Sequence, residues 1–305
     1  MARTGLSVGL GPIELRTPLI AASGTVGSVW EWAEVADVSV YGGAVAKSVS
    51  PEPWPGRPAP RLAPTAAGML NGVGIQNPGI ESWAEAMTPR IAASNVPIWG
   101  SAVAHDAAGY AKVAARLAEA GVSVIEVNLS CPNLEDGQMF SFDAGRSREV
   151  VESVVAEAGV PVGAKLSPNT PDIVAVAGAV ASAGADFVVL TNTALGFGID
   201  LATRKPLLSG SVGGYSGPGM KPIALRCVYE VASALPEIPV VGCGGVMTGR
   251  DVVEFLMAGA RAVQAGTVHL AEPKAGKRII AELSAEMEAR GVTGVEEMIG
   301  TVTPW

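Results

Sequence analysis

One segment of the chain, EVNLSCPN at positions 126–133, joins a run of strand-forming residues to groups that can do chemistry. It offers two amides, a hydroxyl and a thiol within a few residues. Cys131 is the most reactive of these, because a thiol with an ordinary pKa of about 8.5 can act as a base or a nucleophile near neutral pH. A lone cysteine is more often a small core residue, so its role depends on what lies beside it.

Polar side chains also end other apolar runs. Lys47 and Ser48 follow one run, Lys165 lies in a second, and Asn192 with Thr193 ends a third. A lysine in apolar surroundings is unfavourable unless it meets an anion or stays partly solvated, although either lysine alone could extend to solvent. Two lysines among several amides favour a site for a planar, anionic ligand that forms hydrogen bonds.

Glycine-rich turns add a second chemical property. GCGGV (242–246) and AGT (265–267) each end an apolar run, and GGYSGP (213–218) lies upstream of them. Glycine lets backbone N–H groups approach a phosphate closely, whereas one such turn alone is ordinary loop chemistry. Together with the lysines, the turns fit an extended phosphorylated cofactor, and flavin mononucleotide (FMN) is such a cofactor.

The stretch GMLNGVGIQNPG (68–79) is dense in glycine and asparagine. Asn71 offers an amide, and successive N–H groups in such a loop can form an anion-binding nest for a carboxylate. An ordinary cluster of turn residues is the alternative, and it is the better interpretation of this stretch taken alone.

These groups need elements that bring them together, and the apolar runs predict eight strands. The runs are rich in Val, Ile and Ala without strict alternation, as in strands buried on both faces. Helical segments separate them, which favours a closed (β/α)8 TIM barrel, whose active site lies at the carboxyl ends of the strands. The predicted strands are Leu19–Ser23, Gly43–Ser48, Pro97–Ala102, Val122–Ser130, Val162–Ser167, Phe187–Thr193, Val240–Gly245 and Ala262–Thr267.

Capping and stop residues predict three helices, and the remaining segments predict a hairpin and loops at the two ends of the barrel. The first helix has Asp106 as its cap and Gly121 as its stop. The second has Thr170 as its cap, Pro171 in its first turn and Gly184 as its stop. The third has Thr248 as its cap, with Asp251 close to a capping box, and Gly259 as its stop. Residues 6–18 predict a hairpin that could plug the bottom of the barrel. Residues 50–64 and 196–219 predict extended loops over the carboxyl-terminal face. We expect residues 1–305 to form a single domain.

Composition limits the class of partner. The 305 residues carry a net charge of −8, with 49% hydrophobic and 16% charged residues. Clustered Lys and Arg do not occur, so we expect neither nucleic acid nor an anionic membrane as partner. The sequence has no signal-peptide pattern, which favours the cytoplasm. Three widely spaced cysteines argue against disulfides or a zinc site, and we expect no metal.

With these residues in hand, the chain resembles the class 1 dihydroorotate dehydrogenases of the B type, whose catalytic subunit is an FMN-binding barrel. The resemblance runs from TPLIAASG (17–24) to AGTVHLAEP (265–273). Its motifs occur in order on predicted strand ends: GMLNGVGIQNPG (68–79), EVNLSCPN (126–133), KLSPN (165–169), TNT (191–193), SGPGMKP (216–222) and GCGGV (242–246).

The resemblance implies oxidation of dihydroorotate to orotate in pyrimidine synthesis. Cys131 would be the base that removes the C5 proton, while hydride leaves C6 for N5 of FMN. Class 2 relatives carry Ser at this position, so Cys131 favours class 1. Lys165 would stabilise negative charge near N1 of the reduced flavin, and residues 132–142 would form a mobile lid.

The resemblance also implies the binding residues. The substrate would contact Lys47, Asn71, Gly72, Val73, Gly74, Ile75, Asn128, Asn133, Asn192 and Thr193. The FMN ring and phosphate would contact Ser23, Lys47, Ser48, Ser101, Asn128, Lys165, Thr191, Gly217, Gly244, Gly245, Gly266 and Thr267. Two positions depart from the family pattern. Ser101 stands where relatives usually have Asn, and Lys47-Ser48 lies in AKS where B-type relatives often have VKA, which leaves the A and B types open.

The electron acceptor depends on that subdivision. B-type relatives pair with a smaller subunit that carries FAD and a [2Fe–2S] cluster and reduces NAD, whereas A-type relatives are homodimers that reduce fumarate. Three scattered cysteines cannot ligate such a cluster. The resemblance therefore implies one FMN per chain, with FAD and a cluster only on a partner subunit, and either a homodimer or a heterotetramer.

Three rival interpretations remain. A related flavin barrel would act on a uracil-type base and would not need a carboxylate nest at 71–75. A non-catalytic barrel subunit would need neither Cys131 nor both lysines. An aldolase or isomerase barrel would bind phosphate without a flavin.

Overall fold

The computed structural model describes residues 5–129, 139–303 and 305. Within them the chain forms short strands, named here in chain order. They are β1 (Val8–Leu10), β2 (Ile13–Leu15), β3 (Leu19–Ala21), β4 (Gly43–Val45), β5 (Leu62–Thr65), β6 (Gly68–Asn71), β7 (Ile98–Ala102), β8 (Val124–Asn128), β9 (Val162–Leu166), β10 (Phe187–Leu190), β11 (Ala194–Gly196), β12 (Ile199–Asp200), β13 (Lys205–Pro206), β14 (Gly213–Ser216), β15 (Val240–Cys243) and β16 (Ala262–Ala265).

Helices lie between most of the longer strands. They are α1 (Trp30–Ala33), α2 (Ile80–Ala92), α3 (Ala107–Glu119), α4 (Ala144–Ala158), α5 (Ile173–Ser182), α6 (Lys221–Ala234), α7 (Gly249–Met257), α8 (Val268–Ala271) and α9 (Ala275–Ala289). Short 3₁₀ turns occur at Val38–Val40, Phe140–Phe142, Pro218–Met220 and Val295–Met298. No helix in these described ranges is long and apolar enough to cross a membrane.

Eight strands close into a parallel barrel in the order β10-β15-β16-β3-β4-β7-β8-β9. Each predicted strand contains one of these eight, so the predicted (β/α)8 TIM barrel is confirmed. The observed strands are shorter than predicted, because the polar residues at their carboxyl ends turn away into loops. The apolar core extends from Leu6 to Met298. That residues 1–305 form one domain stays a prediction.

Side chains fill the barrel interior with a period of two along each strand. Trp99 and Phe187 are fully buried, and their rings pack at a tilt of 53° with centroids 5.5 Å apart. The space for their rings comes from glycines on neighbouring strands: a Cβ at Gly43 would meet the indole of Trp99, and a Cβ at Gly163 would overlap the ring of Phe187. The lower half of the barrel is therefore an apolar plug.

The predicted N-terminal hairpin is present and covers the amino-terminal end of the barrel. β1 and β2 pair antiparallel. The Nε of Arg261, which directly precedes β16, donates to the carbonyl of Gly9 at 2.6 Å. Gly11 packs on the backbone of Asp186, which directly precedes β10.

The two predicted loops combine over the opposite end. β5 begins at the end of the predicted loop 50–64 and β6 follows it, whereas β11 and β14 lie in the chain that follows the sixth barrel strand. They form one antiparallel sheet in the order β11-β14-β6-β5, with Asn71 opposite Gly214. This sheet, called the upper sheet below, extends over the carboxyl ends of the barrel strands.

Two of the three predicted helix starts are confirmed and one is wrong. Asp106 caps α3, and Thr248 forms a full capping box with Asp251 at α7. The start of α5 was predicted at Thr170 with Pro171 in the first turn, whereas the helix begins at Ile173. Asp172 is the cap, because its carboxylate accepts from the Ala175 N–H at 2.9 Å. The Thr170 hydroxyl accepts only from the Asp172 N–H, at 3.4 Å.

The close packing inside the apolar plug leads to a prediction about the free energy of unfolding. Gly163→Ala should lower the free energy of unfolding by about 1–3 kcal/mol, because the added methyl group overpacks the Phe187 ring. Urea denaturation measures the change. Gly9→Ala is the matched control, since a Cβ there approaches only the Glu14 carboxylate, at 3.9 Å. Equal stabilities of the two variants would contradict the packing argument.

Candidate active site

A cleft lies between the carboxyl ends of the barrel strands and the upper sheet. It gathers most of the predicted site residues in one place. The predicted residues on its wall are Ser23, Lys47, Ser48, Asn71, Val73, Gly74, Ile75, Asn128, Lys165, Thr191, Asn192, Thr193, Gly244, Gly245, Gly266 and Thr267. The predicted convergence of polar strand ends is therefore seen in the structure.

Five predicted residues are not seen on this wall. Cys131 and Asn133 lie outside the described residues. Ser101 is buried behind Ser48, and its hydroxyl contacts the hydroxyl of Ser48, which lines the cleft. The Gly72 N–H donates to the Arg61 carbonyl at 2.8 Å, which joins the residues after β6 to the residues before β5. Gly217 has a φ of 97°, and a Cβ there would lie 2.7 Å from the Gly68 Cα, so it serves close packing beside the upper sheet.

A row of hydrogen bonds fixes the polar strand ends. The hydroxyls of Ser48 and Ser101 lie 2.8 Å apart, and Asn128 Nδ2 donates to Ser48 Oγ at 3.3 Å. Asn192 Nδ2 donates to Asn128 Oδ1 at 3.4 Å. The hydroxyl of buried Tyr110 in α3 donates to the Asn128 carbonyl at 2.8 Å and holds the end of β8. The amides therefore face the cleft in set orientations.

A charged network forms the floor of the cleft. Lys165 Nζ donates to Gln264 Oε1 at 3.0 Å and lies 3.5 Å from Glu126 Oε1. Gln264 Nε2 donates to Glu126 Oε2 at 2.6 Å. Burial lowers the pKa of Lys165, but Glu126 and, to a smaller extent, Cys243 together outweigh burial, so the pKa lies above its ordinary value. The lysine is therefore cationic at the bottom of the cleft. Cys243 lines the same floor, and burial raises the pKa of its thiol.

The glycine turns form one end of the cleft. Gly244 and Gly245 have φ of 138° and 75°, and a Cβ at Gly245 would lie 2.6 Å from the Lys221 backbone nitrogen. Only glycine suits both the conformation and the close approach of α6. Beside this turn, the Thr191 hydroxyl is buried and has no hydrogen-bond partner among the described residues. A ligand that offers donors or acceptors would satisfy it.

The turn at 73–75 forms part of the opposite wall. Gly74 has a φ of 73° and Ile75 a φ of 57°, which is unusual for a β-branched residue. Asn77 holds the turn: its Nδ2 donates to the Ile75 carbonyl at 2.8 Å and to Ser50 Oγ at 2.8 Å. Its Oδ1 accepts from the Ser50 N–H at 3.1 Å. The buried amide of Asn77 therefore fixes the predicted carboxylate nest.

Comparison with known proteins shows the family. The family model described as dihydroorotate dehydrogenase matches residues 6–287. The chain belongs to the dihydroorotate dehydrogenase family.

Relatives in this dihydroorotate dehydrogenase family match over nearly their whole length. The protein of Alkaliphilus metalliredigens named dihydroorotate dehydrogenase B (NAD(+)), catalytic subunit, is 40% identical over 303 residues, which cover 99% of this chain and 100% of that protein. The protein of the same name from Listeria monocytogenes is 41% identical over 295 residues, covering 96% and 97%. A solved dihydroorotate dehydrogenase from Eimeria tenella, in complex with ferulenol, has the same fold, with a TM-score of 0.82 at 18% identity over 97% of this chain and 88% of that chain.

Three residues at or below the floor of this dihydroorotate dehydrogenase cleft escaped the sequence analysis. Glu126 and Gln264 lie inside barrel strands, and Cys243 is the last residue of β15, where the glycines that follow it carried the stronger signal. A signal was available, because Glu126 is a charged residue in the middle of an apolar strand, two positions before Asn128. With a period of two it must point into the barrel one layer below that amide.

A buried histidine next to the cleft gives a pH prediction. His269 Nε2 lies 2.9 Å from the Tyr41 hydroxyl, and burial lowers the pKa of His269 from 6.5 to about 4. In the unfolded chain the imidazole takes up a proton near pH 6.5, whereas in the folded chain it stays neutral down to about pH 4. The neutral imidazole of His269 therefore contributes to stability above pH 6.5, and this contribution is lost as the pH falls towards 4. The loss should be about 3 kcal/mol.

Denaturant unfolding at pH 7 and pH 4 measures this loss. His269→Gln should show a smaller difference between the two pH values than the wild-type chain. His105→Gln is the control, because that imidazole is exposed, and it should keep the wild-type difference. If His269→Gln also keeps it, the buried neutral imidazole is not the cause.

Proposed function

We propose that this chain oxidises dihydroorotate to orotate with FMN as its cofactor, and that a separate subunit passes the electrons to NAD. The observation that carries the proposal is one cleft in which a buried cation, an ordered row of amides and the fixed turn at residues 73–75 face each other. The names of the full-length relatives support the subunit and the acceptor.

The chain's own residues fit FMN. The Thr191 hydroxyl, which has no hydrogen-bond partner within residues 5–129 and 139–303, and the Lys165 ammonium both line the space for a planar polar ring. The ring would be held by Ser23, Lys47, Ser48, Asn128, Lys165 and Thr191, and the phosphate by Gly244, Gly245, Gly266 and Thr267. When bound, FMN supplies the two-electron acceptor for the substrate C–H bond. Lys165 would stabilise the negative charge that collects there.

The same cleft fits the substrate. Lys47, Asn71, Asn128, Asn192 and Thr193 would hydrogen-bond the pyrimidine edge and the carboxylate, with backbone N–H groups of residues 73–75. The fixed turn favours dihydroorotate over a uracil-type base, because only dihydroorotate carries a carboxylate for it. Charge-assisted hydrogen bonds to an anion are about twice as strong as neutral ones.

The base comes from a segment beyond the described residues. Cys131 follows Asn128 by three positions in the sequence, within the family motif EVNLSCPN. We propose that its thiolate removes the C5 proton of the substrate and that Asn133 adds an amide to the substrate site. The remaining cysteines compete poorly for this role: Cys227 is buried on α6 away from the cleft, and burial raises the pKa of the Cys243 thiol on the cleft floor.

The quaternary structure completes the proposal. An iron–sulfur cluster of the [2Fe–2S] type needs four ligands, usually cysteines, and the chain has three cysteines in all. A cluster and FAD would therefore belong to the partner subunit. Two copies of each subunit would form a heterotetramer around a homodimer of this chain.

The first test is spectroscopic. We expect the purified chain to be yellow from FMN and to bleach when dihydroorotate is added without oxygen, because the flavin accepts the two electrons. The visible absorbance of the oxidised flavin reports the reaction. Dihydrouracil, which lacks the carboxylate, is the control and should bleach the protein far more slowly. Bleaching by dihydrouracil alone would favour the uracil-type barrel, and a colourless protein that cannot be loaded with FMN would favour the aldolase or scaffold.

Reoxidation of the bleached protein also distinguishes between the possible electron acceptors. The isolated chain should reoxidise slowly with NAD, because the proposed route to NAD needs the partner subunit. Rapid reoxidation by fumarate would instead identify an A-type enzyme and contradict the proposed acceptor.

A second prediction concerns the base. Cys131→Ala should bind FMN and lose about 10²–10⁴-fold in the rate of flavin reduction by dihydroorotate at neutral pH, since general-base residues contribute about that much. Stopped-flow absorbance measures the rate. Cys227→Ala, on α6 away from the cleft, is the matched control. A Cys131→Ala rate within a few-fold of the control would remove Cys131 from the role of base.

A further inference from the structure

Glu126 is not among the ligand-binding residues described above, yet burying its carboxylate is energetically unfavourable. Its side chain is fully buried inside the barrel, at the floor of the cleft. An unpaired carboxylate in such surroundings is disfavoured by several kcal/mol, so a residue that only filled space would be apolar. The pairing of Glu126 therefore points to a function.

The contacts of Glu126 are directional. Gln264 donates to one carboxylate oxygen at 2.6 Å and accepts from Lys165 Nζ at 3.0 Å. A glutamine amide has donors on one side and an acceptor on the other, so it can join a carboxylate to an ammonium in one orientation only. The second oxygen, Oε1, lies 3.5 Å from Lys165 Nζ and has no hydrogen-bond partner among the described residues.

We propose that Glu126 is a positioning residue that anchors the Lys165 ammonium through Gln264 and offsets its charge, and so limits how strongly the cleft favours reduced, anionic FMN over oxidised FMN. The inference rests on FMN as the cofactor proposed above. An uncompensated ammonium in a site of low dielectric would attract the anionic flavin far more strongly than a lysine–glutamate pair does.

The test is the midpoint potential of bound FMN, which does not depend on dihydroorotate. Glu126→Gln keeps the shape and removes the charge. We expect reduced FMN to bind at least tenfold more tightly relative to oxidised FMN, an upward shift of about 30 mV for a two-electron couple. Anaerobic titration of the FMN-loaded protein against a reference dye measures it. Glu152→Gln on the outer face of α4 is the control for net charge and should leave the potential unchanged.

A double variant separates positioning from a direct effect on the flavin. Lys165→Met removes the ammonium that Glu126 anchors and offsets, so Glu126 can no longer act through it. Adding Glu126→Gln to Lys165→Met should therefore change the potential little. An equal shift in both backgrounds, or no upward shift in the single variant, would overturn the proposal.

A third variant covers the case in which Glu126→Gln does not fold. Gln264→Met removes both hydrogen bonds that join the pair while keeping its volume, and the potential should again rise because the Lys165 ammonium is no longer held beside the carboxylate that offsets its charge. A wild-type chain that bleaches with dihydroorotate while these variants keep its potential would leave the proposed function intact and refute only this inference. A wild-type chain that binds no FMN would refute the proposed function itself.

Discussion

A lysine ammonium and a glutamate carboxylate share the interior of an apolar barrel, and the cleft is arranged around them. Lys165 is 5% exposed and Glu126 fully buried, and burying either alone would cost several kcal/mol. They lie on the neighbouring strands β8 and β9, whereas Gln264 lies on β16 across the barrel. The network therefore ties opposite walls together and fixes a positive charge where the barrel opens. Removing one member takes a partner away from each of the other two, so the three residues are expected to act as a unit.

The period of two along each strand produces the layers of the molecule. One layer of inward side chains is apolar, with Trp99 and Phe187 fitted into spaces left by glycine. The next layer holds the charged network, and the last inward residue of several strands reaches the cleft. Water is kept from below by the plug and the N-terminal hairpin, which strengthens every electrostatic contact above it. Polar groups thus collect at one end because the other end is filled.

Sequence patterns predicted the barrel and most of the cleft wall because both depend on local signals. Runs of β-branched residues identified the strands, and polar residues at their ends identified Lys47, Asn128 and Thr193. Three features needed other information. The upper sheet pairs residues 68–71 with residues 213–216, a contact that no local pattern specifies. The start of α5 was misplaced because Thr170 and Asp172 are both good caps and only the backbone decides between them. Ser101 was expected at the flavin but lies behind Ser48, since its short side chain does not extend past that hydroxyl.

The turn at residues 73–75 bears on the class of substrate. Ile75 is held at a φ of 57°, a conformation that costs a side-chain-bearing residue about 1–2 kcal/mol. The cost is offset by Asn77, whose buried amide binds the Ile75 carbonyl and the Ser50 loop together. Donors that are already fixed bind an anion without a further loss of conformational entropy. A barrel that bound only uncharged pyrimidines would gain nothing from holding this turn, so its rigidity supports a substrate with a carboxylate.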